Sequence, residues 1–218
     1  HQDLSFLIDH LPKVAQSFHL VAISRMDPPW PLARWRARGE LNELRALDLR
    51  FELDETSQFL QSVLQLKLSP QEITALQERT EGWIAGLQMA AISMQAKLKA
   101  QGPEGVSNFI KNFSGSNRFI LDYLLDEVLS QQSEEVRSIM LETSILDQLS
   151  APLCDAVIDK PGSQAFLDQL ERANLFLIPL DDDQHWYRYH HLFAEFLRKR
   201  LKQLLPERLP QLHQRATD

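Results

Sequence analysis

Three groups of residues have types and spacings that could do chemistry. Ser24-Arg25 directly follows the apolar run Phe18-His19-Leu20-Val21-Ala22-Ile23. Such a run is expected to form a buried parallel strand, and ligands of open α/β sheets bind beyond strand C-termini. The planar guanidinium of Arg25 could grip a phosphate there; a surface arginine capping a strand end is the simpler alternative. His190-His191 stands where the alternating run Trp186-Tyr187-Arg188-Tyr189 gives way to helical spacing at Phe193, Phe196, Leu197, Leu201, Leu204 and Leu205. A helix start offers unpaired N–H groups and the positive end of the dipole, which suits a phosphate. The competing reading packs the imidazole against Trp186 and Tyr189. A metal held between these histidines and Asp181-Asp182-Asp183 is disfavoured, because adjacent helical side chains project about 100° apart. Arg198-Lys199-Arg200 with Lys202 has the composition of a nucleic-acid patch. It lies toward a helix C-terminus, however, where cations offset the dipole and a solvated face is the plainer account.

Other chemistries are excluded. No G-x-x-x-x-G-K-[ST] occurs in the 218 residues, so they contain no triphosphate cradle of that kind. Neither a nucleophile elbow, a zinc-finger spacing nor a glycosidase carboxylate pair is present, and an enzyme complete in these residues is the least favoured class. The net charge of −7 opposes nucleic-acid binding by the chain as a whole, since that affinity comes mainly from neutralising phosphates. A lone Cys154, no secretory leader pattern and no apolar run near the roughly 20 residues of a membrane span point to the cytoplasm and away from membranes. The chain opens without methionine inside one helical pattern and closes inside another that begins near Glu207, as expected of an internal piece of a longer protein.

The elements that must position these residues are mainly α-helical. Residues 1–52 are expected to be the trailing part of an α/β domain, with strands at Phe18 to Ser24 and Leu44 to Phe51 and a short helix at Leu32 to Arg36 ending at Gly39. Residues 53–132 read as a helical domain. Asp54 is the expected cap of its first helix, which turns Phe59, Leu60 and Val63 inward, and Ser69-Pro70-Gln71-Glu72 is a capping box with proline at the first helical position. Ile84, Leu87, Ala91, Met94 and Leu98 form a buried stripe, and Gly102-Pro103-Glu104-Gly105 the clearest loop. Phe109, Ile110 and Phe113, then Phe119, Ile120, Tyr123, Leu124 and Val128, supply two further helices. Residues 133–205 read as a winged-helix domain: helices capped by Ser133, Ser150 and Ser163, a strand at Ala173 to Leu180, an acidic turn, the aromatic strand and the final helix. Residues 206–218 would begin a further helical region.

Several blocks carry a resemblance. The block from Leu20 to Leu41, LVAISRMDPPWPLARWRARGEL, is similar to one in the large ATP-binding regulators of the LuxR class, the MalT-like branch of the STAND NTPases. So are Thr80-Glu81-Gly82-Trp83-Ile84-Ala85-Gly86-Leu87-Gln88-Met89-Ala90, Thr143-Ser144-Ile145-Leu146-Asp147, and Leu170 to Leu177 running on to Trp186 through Leu197. In order and spacing the match covers nearly the whole chain. It implies the end of an NTPase domain, a helical domain and a winged-helix domain. A phosphate-binding loop and magnesium motif would precede His1, and a superhelical sensor and a DNA-binding helix-turn-helix would follow Asp218. ATP or ADP with Mg would then be the cofactor of the intact protein. Its partners would be DNA, a small-molecule inducer and further copies of itself. Ser24-Arg25 resembles a sensor for the γ-phosphate. Gly86-Leu87-Gln88 resembles the glycine-leucine-proline motif beside the base, with Gln88 where many relatives have proline. His190 resembles the winged-helix histidine that touches the β-phosphate in the ADP-bound state, with His191 replacing a more usual aspartate.

Three function classes follow: a nucleotide switch within a transcriptional activator, a winged helix that binds DNA by itself, and a protein-interaction scaffold. Without a phosphate loop the 218-residue chain is expected to show no tight ATP or ADP binding in titration calorimetry; low-micromolar affinity would contradict this reading.

Overall fold

A computed structural model of the chain describes residues 20–24, 27–65 and 68–217. The fold is mainly helical, as expected. Its helices are α1 (Leu32–Ala37), α2 (Leu53–Leu64), α3 (Pro70–Thr80), α4 (Ile84–Asn112), α5 (Arg118–Tyr123), α6 (Glu134–Thr143), α7 (Ala151–Ile158), α8 (Ser163–Arg172), α9 (His191–Leu204) and α10 (Leu209–Arg215). Two strands, β1 (Leu177–Pro179) and β2 (Tyr187–Tyr189), lie between α8 and α9.

The first stretch departs most from expectation. Leu20 to Ser24 joins no strand among the described residues, and Val21 and Ile23 are 81% and 96% exposed. A parallel strand owes its ladder and its cover to neighbouring elements, and the described residues place none beside it. Leu44 to Phe51 is a turn rather than a strand. Asp48 accepts from the Arg45 amide at 2.8 Å, and local bonds from Leu49 to Arg45 and from Arg50 to Leu47 close it. Exposed ion pairs of Arg45 with Asp27 and Glu43, and of Arg36 with Glu43, tie this stretch together. Pairs so exposed contribute little stability.

From α2 onward the helices obey their local signals with a few shifts. The capping box at Ser69 forms, with the Glu72 amide donating to Ser69 Oγ at 3.3 Å and the Ser69 amide to the Glu72 carboxylate at 2.8 Å. The cap of α2 is Glu52, not Asp54, because Glu52 and Glu55 form the reciprocal pair. Within α4, Leu87, Ala91 and Met94 are buried as expected, while Ile84 faces outward with Gln88 and Ile92, each one turn apart. The expected loop at 102–105 shrinks to a break at Gly102 (φ 68, ψ −164) inside α4. Pro103 can follow it because a helix start tolerates a missing N–H. After α5 the chain leaves α geometry altogether, through a π turn (Leu124–Val128) and a 3₁₀ turn (Leu129–Gln131); Ile120, Leu124 and Val128 remain inward, whereas Phe119 is exposed.

The winged-helix arrangement is present. Ser133 caps α6 by accepting from the Val136 amide. Ser150 stands at the N-cap of α7 without a side-chain capping bond, and α8 is capped by Gly162 instead of Ser163, whose amide donates to Asp155 at 2.8 Å. β1 and β2 pair antiparallel, with Leu177 opposite Tyr189, Ile178 opposite Arg188 and Pro179 opposite Tyr187. Leu149 adds an isolated antiparallel bridge, exchanging bonds of 2.7 and 2.8 Å with Tyr187. Tyr187 and Tyr189 are buried on one face of β2. The buried apolar side chains form one continuous cluster from Leu60 and Leu76 through Leu87, Ile120 and Leu124 to Met140, Phe193 and Leu212, so the helical and winged segments share a core.

Where α3 meets α4, Glu81 and Gly82 both take left-handed backbone conformations, at φ 49 and φ 73. A β-carbon on Gly82 would lie 2.4 Å from the Phe51 carbonyl oxygen. Gly82→Ala is expected to destabilise the fold by roughly 1–3 kcal/mol, a fall of several degrees in melting temperature, measured by calorimetry; an unchanged melt would contradict the close approach.

Candidate functional site

The sequence-derived site residues fall in three places. Arg25 lies outside the described residues; Ser24 is exposed. Gly86 and Gln88 lie on α4, Gly86 buried and Gln88 exposed. The Trp83 ring covers Gly86 so closely that a β-carbon there would meet its Cε3 at 2.5 Å. That same indole brings Gly86 and His190 into one neighbourhood: Trp83 meets the His190 ring edge-on at 5.9 Å and Phe176 at 5.0 Å. His190 packs against Trp83 and Phe176, at 5.9 and 5.8 Å, rather than against Trp186, which is 43% exposed.

His190 is 3% exposed, and both ring nitrogens are engaged. Nε2 donates to the Thr80 carbonyl at 2.8 Å, and Nδ1 accepts from the Leu192 amide at 3.3 Å, which makes His190 the N-cap of α9. These partners define a neutral ring protonated at Nε2. Burial lowers its pKa from the ordinary histidine range, outweighing the upward pull of Glu81 and of the Thr80 carbonyl.

The remaining free N–H groups of the α9 start were expected to suit a phosphate. A carboxylate of the chain itself is there instead. Glu81 accepts from the His191 amide at 3.0 Å and receives a two-pronged grip from Arg188, at 2.9 and 2.8 Å. Arg50 comes within 3.7 Å of the same carboxylate, and the His191 ring nitrogen Nε2 lies 3.8 Å from it. The Glu81 side chain is only 10% exposed. Burial pushes its pKa up, but the Arg188 hydrogen bonds and the His191 amide prevail and hold it at about 2. What the arrangement can do is bind an anion; the anion it binds is internal. Arg50 precedes the helical segment, Glu81 ends its second helix, and Arg188 and His191 belong to the wing and α9, so a single carboxylate joins all three.

Reasoning from sequence missed Glu81, Arg188 and Arg50. Thr80-Glu81-Gly82 did carry a signal, a helix stop with an acidic residue immediately before a glycine, but its partner lies 107 positions away. The other candidates are committed elsewhere. Asp181 closes the wing turn by accepting from the His185 and Trp186 amides, at 2.9 and 3.0 Å, while Asp182 and Asp183 stay exposed. Arg198 reaches the Ser144 and Leu146 carbonyls, at 2.6 and 3.1 Å, and Asp147 at 2.7 Å, and so stitches the end of α6 to α9. No helix among the described residues is long and apolar enough to cross a membrane.

Both titrating groups bear on acid stability with the same sign. A histidine whose folded pKa is depressed, like a carboxylate whose folded pKa is depressed, binds fewer protons in the fold than in the unfolded chain. Stability should therefore fall as pH drops below about 6.5, the ordinary histidine value, and fall again from about 4.5 toward 2 as Glu81 protonates. His190→Gln is expected to flatten the first phase and leave the second, as read by urea unfolding at a series of pH values; an unaltered slope between pH 7 and 5.5 would contradict a neutral buried His190.

Comparison with known proteins agrees with this geometry. The sequence model of the MalT winged helix domain matches residues 125–209, a span that includes the wing, His190 and all of α9. Over 219 aligned residues the chain is 32% identical to the HTH-type transcriptional regulator MalT of Yersinia enterocolitica serotype O:8, and to that of Yersinia pestis strain Pestoides F. The alignment covers 100% of this chain but 23% of each relative. Along its full length the chain is thus similar to MalT regulators, of which it spans about a quarter, and residues 125–209 match the MalT winged helix domain.

Proposed function

We propose that this MalT-like chain is the nucleotide-switch segment of an ATP-dependent transcriptional regulator of the LuxR class, relaying ADP or ATP state to self-association and promoter activation. The observation that carries the reading is the join itself. The start of α9 and the end of α3 are held together by His190 on Thr80 and by Arg188 on Glu81, the place where a nucleotide-dependent contact could shift the winged helix. Similarity over the whole chain to HTH-type transcriptional regulators supports it. In the intact protein DNA and an inducer would be met by regions outside these residues, in the cytoplasm.

The donor set fits a nucleotide phosphate, since Arg50, Arg188 and the α9 amides already hold an anion. ADP, when bound, would supply a negatively charged β-phosphate. His190 would donate its Nε2 proton to it, exchanging the Thr80 carbonyl for a charged acceptor. Ser24 and Arg25 would read the γ-phosphate, and Gly86 and Gln88 would flank the base; the exposed side chain of Gln88 leaves it accessible for that role. Each nucleotide would favour the arrangement whose contacts it completes. The rival, a winged helix that binds DNA on its own, is opposed by the exposed Asp182 and Asp183 at the wing and by the net charge of −7.

A hydrogen bond to a charged group contributes roughly 1.5–3 kcal/mol, about a tenfold to hundredfold bias between two states. His190→Ala in the full-length regulator should therefore raise inducer-independent reporter activity, while His191→Ala, with its exposed ring, does much less. A folded His190→Ala regulator that stays silent without inducer would refute the role.

A further inference from the structure

Glu81 draws its partners from two distant parts of the chain, the segment that leads into the helices and the short stretch from Arg188 to His191. Arg50 approaches from the segment that leads into the helices, at 3.7 Å, and Arg188 from the wing, at 2.8 Å. The His191 amide at the start of α9 supplies a third partner, at 3.0 Å. Among the described residues Glu81 is the carboxylate paired with either guanidinium. Both arginines are about three-quarters buried, with side chains 30% and 26% exposed. The backbone beneath them is tied in the same way: the Phe51 amide donates to the Gly82 carbonyl at 2.9 Å, and Gln77 donates to the Phe51 carbonyl at 2.6 Å.

We propose that Glu81 is a relay, through which the position of the Arg50–Phe51 segment sets the grip of the helical domain on the winged helix at Arg188 and the α9 start. Three physical features carry this. First, the two guanidiniums repel one another and are reconciled only by the carboxylate they share, so a displacement of either changes the field at the other. Second, the left-handed pair Glu81-Gly82, packed against Phe51, fixes the backbone point from which the carboxylate reaches both guanidiniums. Third, the connection from the helical to the winged segment runs through the π and 3₁₀ turns of residues 124–131. Such departures from α geometry yield more readily than a continuous helix, so a change of grip has somewhere to be absorbed. The biological sense of such a relay rests on the switch reading above, whereas its existence can be tested without nucleotide.

Arg50→Ala, Arg188→Ala and the double variant are compared by urea unfolding in two backgrounds, wild type and Glu81→Gln. With Glu81 present, the first arginine removed leaves the carboxylate one guanidinium, and removal of the second leaves it largely buried with no cation, held by the His191 amide. The double variant should therefore shift the unfolding equilibrium by at least about threefold more than the product of the single shifts. In the Glu81→Gln background that excess should shrink to within about twofold. Additive behaviour in the wild-type background, or an excess that survives Glu81→Gln intact, overturns the relay. A second measurement needs only one substitution. Hydrogen exchange at the His191 amide should accelerate several-fold in Arg50→Ala, although Arg50 pairs with Glu81 and not with that amide; an exchange rate unchanged within twofold overturns the relay as well.

Discussion

A nearly buried carboxylate must be neutralised where it sits, and the rest of this structure is arranged so that Glu81 is. An unpaired charge in such a place costs several kcal/mol, more than most single contacts return. The fold answers with a fork from Arg188, a second cation at Arg50 and a backbone N–H from the first turn of α9. Each of these dictates something else. The Arg188 fork requires β2 to present its polar face toward α3, which turns Tyr187 and Tyr189 into the core. The His191 amide requires α9 to begin at that point and aim its dipole at Glu81. The close passage of Phe51 over Gly82 fixes how the preceding segment enters.

His190 stands directly beside this charged centre yet belongs to a different environment. Trp83 and Phe176 enclose its ring, and a carbonyl and an amide satisfy its two nitrogens. The contrast is one of dielectric and partner: Glu81 stays ionised because strong donors surround it, and His190 stays neutral because apolar rings do. The neutral imidazole keeps its one proton on Nε2, directed at the Thr80 carbonyl. Gly86 matters to the same enclosure, since only a residue without a side chain lets Trp83 lie where it does.

A shared core joins the helical and winged segments despite their distinct patterns. Ile120 and Leu124 continue the apolar cluster of α4 directly into Met140 and Phe193. Gly115 adds a close backbone contact: its amide donates to Glu195 at 2.6 Å, and a β-carbon there would meet the Leu192 carbonyl oxygen at 2.2 Å. Against such a core the ion pairs do not supply the main stability. They decide orientation, as directional contacts do when non-directional burial leaves several arrangements close in energy.

By itself the sequence determined the helices from α2 onward, the inward faces of Leu87, Met94 and Phe193, the alternation of Tyr187 and Tyr189, the winged-helix order and the MalT-like character. These are local matters: a capping box at Ser69, a period of 3.6 or of 2, and blocks of residues long enough to be recognised. It misread Leu20 to Ser24 and Leu44 to Phe51 as strands, because an apolar run does not say whether a neighbouring strand exists to accept its hydrogen bonds. It placed a break at 102–105 but could not see that the helix resumes after Gly102 alone. It chose Asp54 and Ser163 as caps, where the structure has the reciprocal Glu52–Glu55 pair and a left-handed Gly162. It picked out His190 and the α9 start, but not the carboxylate of Glu81 that accepts from the His191 amide there. Only the tertiary structure decided that Glu81, 107 positions before Arg188, fills that place, since charge pairing across the fold depends on which surfaces the core brings together, and no spacing in the chain records it.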